Sequence, residues 1–320
     1  MTRGRERAGL VFAGLCALNG AFVPAFAKLT TGAADGLFVA AATSVFAGLA
    51  AAVVLAVRGE LRGLFARDRF PFLLAIGALG TAATFLLFYE GARRTSAILT
   101  ALCLQIEPVY SLLLARVALG HPITARRVAA VVAILTGIAL ALRPAGGSGW
   151  LGVALLLATP LGWQLSHLIV LRRLAAVAPP TLTGARYLFG GAILAALWLA
   201  SGGAARLPDG DGLARLGPVL ALQGVVLSYV GTLLWYATIA RLDLARATSI
   251  VVPSIPLLSL GASFLLVGEV AGAREGAGLA LTAVGVLAFV TAPDAHEARA
   301  RVPSPTAPIA VPDAEAPERT

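Results

Sequence analysis

Residues 85–120 read FLLFYEGARRTSAILTALCLQIEPVYSLLLARVALG, and residues 233–269 read LLWYATIARLDLARATSIVVPSIPLLSLGASFLLVGE. Laid over one another, aromatic Phe88 matches Tyr236, Pro108 matches Pro256, and Gly120-His121 matches Gly268-Glu269. Further on, Gly137-Ile138 matches Gly285-Val286 in the same register, without a gap. A single coincidence of Gly or Pro in apolar sequence means little, but four anchors at one displacement mark an internal repeat. Upstream, Gly48 pairs with Gly190 after a short insertion, so each copy extends beyond the quoted block.

Both copies are made of apolar runs. Hydrophobic residues are 58% of the 320-residue chain, charged residues 13%, and the mean hydropathy is +0.87. Soluble domains carry about 45–50% apolar and about 25% charged residues, so this chain lacks the polar side chains to cover a water-facing exterior. A lipid bilayer is the partner that solvates it. A helix needs about 20 apolar residues to cross the hydrocarbon core. That length gives Gly9–Ala27, Gly36–Val57, Phe70–Tyr89, Ser96–Val117, Val128–Leu142, Trp150–Leu171, Thr181–Ser201, Leu216–Ala240, Ala247–Gly268 and Gly276–Ala292. Five spans fall in each copy, an odd number, so the second copy enters the membrane from the opposite side. The fold class is therefore an all-α integral membrane protein, with ten transmembrane helices as two inverted five-helix repeats. The domain reading is a cytoplasmic N-terminus at 1–8, a first repeat at 9–142, a second at 150–292, and a Pro- and charge-rich disordered cytoplasmic tail at 293–320. Inverted repeats suit alternating access with substrate held between them at mid-depth, so the architecture predicts a transporter.

The net charge of +9 would suggest nucleic acid if it were concentrated, but no segment concentrates it. It acts instead as an orientation signal. With the N-terminus cytoplasmic, seventeen basic residues lie on that side and seven on the other, leaving Arg186 inside a span. Both termini are then cytoplasmic in a cell (inner or plasma) membrane. Arg3, Arg5 and Arg7 before an apolar run ending Ala25-Phe26-Ala27 imitate a cleaved signal peptide. Asn19 and Pro24 inside the run, and the repeat, favour a retained helix.

The two quoted blocks resemble the paired signature blocks of the drug/metabolite transporter superfamily, EamA type. There an aromatic-containing helix leads through Ala-rich turns to a Pro-containing helix ending in Gly-Glu. The resemblance covers about Gly9 to Ala292, and His121 departs from it, standing where the second block has Glu269. It implies secondary transport of small polar metabolites, amino acids or related compounds, with export the favoured direction.

A charge at mid-membrane costs at least about 2.5–3.5 kcal/mol and is usually kept for a task. Glu107 is the leading case. At helical spacing Ser96, Thr100, Cys103, Glu107, Tyr110 and Ser111 share a face, Gln105 points away, and Pro108 loosens the helix beside the carboxylate. The expected role is a cavity-lining acid that binds a substrate amine or carries a proton, making protons the candidate coupling ion. The bland alternative is a structural glutamate bonded to a neighbouring helix. In the sixth span Thr159, Trp163, Ser166 and His167 share a face, and Gln164 joins it only if Pro160 distorts the turn. His167 is a candidate to titrate near neutrality or to accept a hydrogen bond. Asn19 among Phe12, Phe22 and Phe26, and Trp235 and Tyr236 on the eighth span, complete the candidate lining. Ser254 lies between Pro253 and Pro256, where two prolines predict an irregular turn with freed carbonyls. With Pro24 and Pro108, these prolines are the candidate helix breaks. Arg186 reads as close enough to the cytoplasmic face to snorkel, and Glu90 as an interfacial ion pair with Arg93 and Arg94.

Several function classes drop out. Cys16 and Cys103 both lie in apolar runs and have neither metal-ligand nor disulfide spacing. No Walker A sequence, H-E-x-x-H or G-x-S-x-G occurs, so no metal, no cofactor and no enzyme activity is expected. Gly147-Ser148-Gly149-Trp150-Leu151-Gly152 has the G-x-G-x-x-G form, but a membrane span precedes it where a dinucleotide site needs a strand. The rivals to an exporter are an importer of a vitamin or nucleoside-like nutrient and, from other classes, an intramembrane enzyme or a receptor. Oligomeric state leaves no mark on the sequence.

Overall fold

Helix ends fall where the sequence supplies caps. Asp35 accepts from the Phe38 amide at 2.8 Å, Ser96 from Leu99 at 3.0 Å, and Asp209 from Gly212 at 2.8 Å. Each such cap contributes on the order of 1 kcal/mol by satisfying an amide that has no partner in its helix. In the computed structural model, which describes residues 3–120, 123–142, 146–242 and 244–292, ten helices result. They are α1 (Arg3–Ala33), α2 (Gly36–Val57), α3 (Phe70–Arg94), α4 (Ala97–Ala118) and α5 (Ala125–Ala141). The second half supplies α6 (Gly146–Arg173), α7 (Pro179–Ala200), α8 (Gly210–Ile239), α9 (Leu244–Val267) and α10 (Ala273–Val290). Nine of them are long and apolar enough to cross a membrane, and α5, at 17 residues, is the short one. The expected disordered tail and His121 lie outside the described residues.

The repeat anchors now acquire physical content. Gly120 ends α4 and Gly268 follows α9, with φ of +69° and +68°. A left-handed residue closes a helix by returning its amide to the last carbonyls, and glycine takes that conformation without a Cβ clash. Gly137 and Gly285 serve a different need. A methyl group at Gly137 would collide with the Thr282 hydroxyl, and one at Gly285 would lie 2.9 Å from Ile134. Those two contacts are repeat-equivalent, so α5 and α10 pack backbone to backbone about the pseudo-two-fold axis, as small residues permit in membranes. The second self-related pair is α2 with α7. Around them α1 packs on α8 and α9, while α6 packs on α3 and α4.

Two departures from the sequence reading concern helix continuity. α1 extends beyond Gly9–Ala27 at both ends, and Thr30 and Thr31 turn their hydroxyls back onto the Phe26 and Ala27 carbonyls, which keeps the last turn compatible with an apolar surround. α9 runs unbroken through Pro253 and Pro256, and α1 through Pro24, so the expected break around Ser254 is absent. Neighbouring helices and hydroxyls can hold a proline-containing helix together in lipid. Here Ser254 Oγ donates to the Ile250 carbonyl at 2.6 Å, and Ile255 fits against Gly20 of α1. The real irregularities lie elsewhere: a widened π-helical turn at Ala78–Ala83 in α3 and another at Gln223–Val230 in α8, at overlapping repeat positions. The outside of the bundle is apolar, with Val53 63%, Val57 84% and Leu265 72% exposed, as a lipid-facing surface requires.

Candidate functional site

The winding of α4 decides where Glu107 sits. Ala97–Cys103 is α-helical, Leu104–Ile106 tightens into a 3-10 turn, and the α-helix resumes at Glu107 with Pro108 in its first turn. Pro108 has no amide to give the preceding turn, and a first-turn position is where that loss costs least. Glu107 therefore stands at a seam near the middle of α4. Gln164 Nε2 of α6 donates to Glu107 Oε1 at 2.7 Å. A neutral amide donating to a carboxylate is a charge-assisted bond, stronger than a neutral pair.

That bond corrects the expected face of α6. The helix is continuous through Pro160, so Gln164 needs no distortion to reach Glu107. The difference is rotational. Thr159 and Ser166 are buried, and the Ser166 side chain fills the space where Gly80 of α3 has no Cβ. Gln164, on the neighbouring face, turns toward α4 instead. His167 is exposed and lies within electrostatic reach of Arg186 of α7.

α4 is closed in at its N-terminal end and more exposed at its C-terminal end. At the closed end Ala97–Cys103 is buried throughout and packs against α1, α6 and α9. Glu269, just past α9, accepts from the Ala97 and Ile98 amides at 3.0 and 3.2 Å. A carboxylate on the positive end of a helix satisfies free amides and complements the helix dipole together. Toward the other end, Glu107–Leu119 has α6 and α5 as its neighbours, and α9 is no longer among its main packing partners. Val117 there is 82% exposed. The open end is the one that carries Arg116, Arg172 and Arg241.

Both π-helical turns are tied to α7 by consecutive side chains. Arg186 Nη2 donates to the Gly80 carbonyl at 2.9 Å, and Tyr187 Oη to the Ser228 carbonyl at 3.1 Å. Gly80 and Ser228 are repeat-equivalent, so one helix braces the same point in both halves. Asn19 Nδ2 of α1 adds a bond to the Leu227 carbonyl at 3.0 Å. Asn19 thus ties α1 to the widened turn of α8. Gln223, at the start of that turn, donates to Tyr89 Oη at 2.6 Å and receives from Thr30 Oγ1 at 3.2 Å. Arg186 does not snorkel outward as expected. It lies within electrostatic reach of Glu107, His167 and Tyr236, a placement that the sequence reading missed. Its signal was present: a charge well inside a span, with Ser44 at the repeat-equivalent place.

The remaining candidates divide between wall and scaffold. Tyr110 Oη donates to the Leu157 carbonyl at 2.9 Å, joining α4 to α6 below Glu107. Thr100 is fully buried at the closed end, bonded to the Ser96 carbonyl and the Thr95 hydroxyl, and the tightened turn separates it from Glu107. Tyr236 is partly exposed beside Thr183 and near Arg186. Trp235 packs on the apolar cluster of Ala13, Cys16 and Val251 and serves as scaffold. Trp163 is half-buried next to Gln164. Glu90 pairs with Arg93 at 3.3 Å and with Arg94, as expected. Among the described residues no group of three or more His, Cys, Asp or Glu can hold a metal ion.

Two inverted halves with a Glu107–Gln164 pair near mid-depth invite comparison with known proteins. A family profile described as the EamA-like transporter family matches residues 7–143 and again 150–291. The chain belongs to the EamA-like transporter family. Members of that family are multi-pass membrane transporters of small molecules. The two matched segments place one EamA unit on each inverted half. A solved crystal structure superposes with a TM-score of 0.62 at 17% identity, over 91% of this EamA chain and 98% of its own. That likeness concerns the fold. No curated protein matches the sequence.

Proposed function

We propose that this EamA-family protein is a secondary carrier that exports small polar metabolites, amino acids or related compounds, across the cell membrane by alternating access. The supporting observation is the Glu107–Gln164 pair near the middle of α4, with Glu269 bonded over the first amides of the same helix. A carboxylate is not kept there without work to do, because a nonpolar residue would insert at lower cost. The positive-inside rule makes the arginine-bearing open end cytoplasmic, so substrate enters from the cell interior. Glu107 is the proton-carrying group in this reading: proton and substrate alternate on its carboxylate, and Gln164 orients it.

Transport by purified protein in proteoliposomes tests this directly. Wild type moves an amino acid faster when a pH gradient is imposed, and Glu107→Gln retains binding of part of the panel but loses the response to the gradient. A Glu107→Gln protein with undiminished gradient dependence overturns the proton role.

A further inference from the structure

A cleft of about 560 Å3 lies where the start of α2, the end of α3, the start of α6 and the end of α7 meet. Its lining grades from polar to apolar along the helix axes. Asp35 caps α2, Arg93 and Arg94 occupy the last turn of α3, Ser201 follows α7, and Arg206 stands in the next short turn. Leu86 and Leu87 lie about two turns before Arg94, and Leu151 and Leu155 face them from α6. Leu151 is 50% exposed and Trp150 beside it 54%. An exposed tryptophan near a helix start marks the head-group level of a membrane, with hydrocarbon on its inner side.

The charges gather at the outer rim. Asp35 is committed to the Phe38 amide, and Glu90 accepts from Arg93 Nε and Nη2 and from Arg94 Nη1. Arg206 gives Nη2 to Ser201. Arg93 Nη1, Arg94 Nη2 and Arg206 Nη1 have no partner among the described residues. Lys28 donates to the Arg93 carbonyl at 3.4 Å, which brings a fourth cation alongside. The alternating spans assign seven basic residues to this side of the bundle, and four of them meet here. Orientation in the membrane calls for few basic residues on this side, so it does not account for the cluster.

We propose that this cleft binds an acidic phospholipid of the adjoining leaflet, with its phosphate on Arg93, Arg94 and Arg206 and an acyl chain along Leu86, Leu87, Leu151 and Leu155. Guanidinium groups hold phosphate oxygens through charge-assisted bonds, and basic pockets between spans take anionic head groups in this way. A soluble anion would use the arginines and gain nothing from the leucines. A zwitterionic lipid would use the leucines but bring its own cation against the arginines. The cleft shares no residue with the Glu107–Gln164 pair, so the assignment does not depend on what Glu107 carries.

Native mass spectrometry of the purified full chain in detergent tests this by titration with phosphatidylglycerol and with phosphatidylcholine of the same chain length. Wild type is expected to bind phosphatidylglycerol at least about tenfold more tightly. The double variant Arg93→Gln/Arg206→Gln should lose that preference. Arg62→Gln/Arg67→Gln, which removes two exposed arginines from the opposite end of α2 and α3, should keep it. Should the first double variant fail to fold, Arg206→Gln alone, in an exposed turn, is read by the same ratio and should lower it by about threefold. Glycerol 3-phosphate, which carries the head-group phosphate without the chains, should displace the lipid poorly. Equal binding of the two lipids by wild type, or an unchanged ratio in the cleft variants, overturns the assignment. An equal loss in Arg62→Gln/Arg67→Gln would reduce the preference to general surface charge. Ready displacement by glycerol 3-phosphate would make the cleft a site for soluble anions, and either of these results also overturns the assignment.

Discussion

Glu107 and Gln164 show how a single contact converts a costly residue into a site. A carboxylate at mid-membrane was legible in the sequence because its cost is set by residue type and depth alone. Its partner was not, because Gln164 reaches it through the rotation of α6 about its own axis, a property of packing that helical spacing does not encode. Arg186 was misplaced for a similar reason. Its distance from a helix end allowed snorkelling, but the Gly80 carbonyl in a widened turn of α3 captured it instead. Gln223 is the polar residue with most to lose by substitution. Gln223→Ala strands the Tyr89 hydroxyl in the core and leaves a void, at a cost of about 1–3 kcal/mol, while Thr30 keeps its bond to the Phe26 carbonyl. A lowered melting temperature in detergent checks this, and an unchanged one would show that the hydroxyl finds another partner.

At the scale of helices, the repeat anchors were read correctly as positions and only now as devices. Gly120 and Gly268 end α4 and α9 in the left-handed conformation, and Gly137 and Gly285 allow α5 and α10 to touch. Gly137→Leu has no room against Thr282 and should separate α5 from α10. The expected result is a melting temperature lower by several degrees, or failure to purify as a single species. The prolines were misread in the opposite sense. Pro253 and Pro256 announced a break that α9 does not make, whereas the irregular turns occur at Ala78–Ala83 and Gln223–Val230, where no proline signals them. The closed end depends on the carboxylate of Glu269 over the start of α4. Glu269→Ala removes two charge-assisted bonds and should favour opening there by about tenfold or more. Its readout is increased reaction of a thiol placed at Ala97, and no increase would reduce Glu269 to an ordinary cap.

For the whole molecule, the inverted halves make each end a rearranged copy of the other, so the same packing that seals one end in this structure can seal the opposite end in its counterpart state. Ten spans and two halves were legible because hydrophobic length and a shared register are linear properties of the chain. Which end is open was not legible, since both states use one sequence. The native thiols, Cys16 and Cys103, are buried and can be replaced to give a silent background. Ala97 is fully buried between Ala25 of α1 and Ala262 of α9, whereas His167 is exposed. The most direct test of alternating access is therefore the labelling of Ala97→Cys and, separately, His167→Cys by a membrane-impermeant thiol reagent applied to each face of oriented proteoliposomes. Without substrate, the account predicts labelling of His167→Cys from the arginine-rich face and protection of Ala97→Cys. When a substrate gradient drives turnover, Ala97→Cys should become reactive from the opposite face while His167→Cys loses reactivity. Simultaneous labelling of both positions would indicate a continuous pore, and protection of Ala97→Cys under every gradient would mean that the closed end never opens; either result contradicts the account.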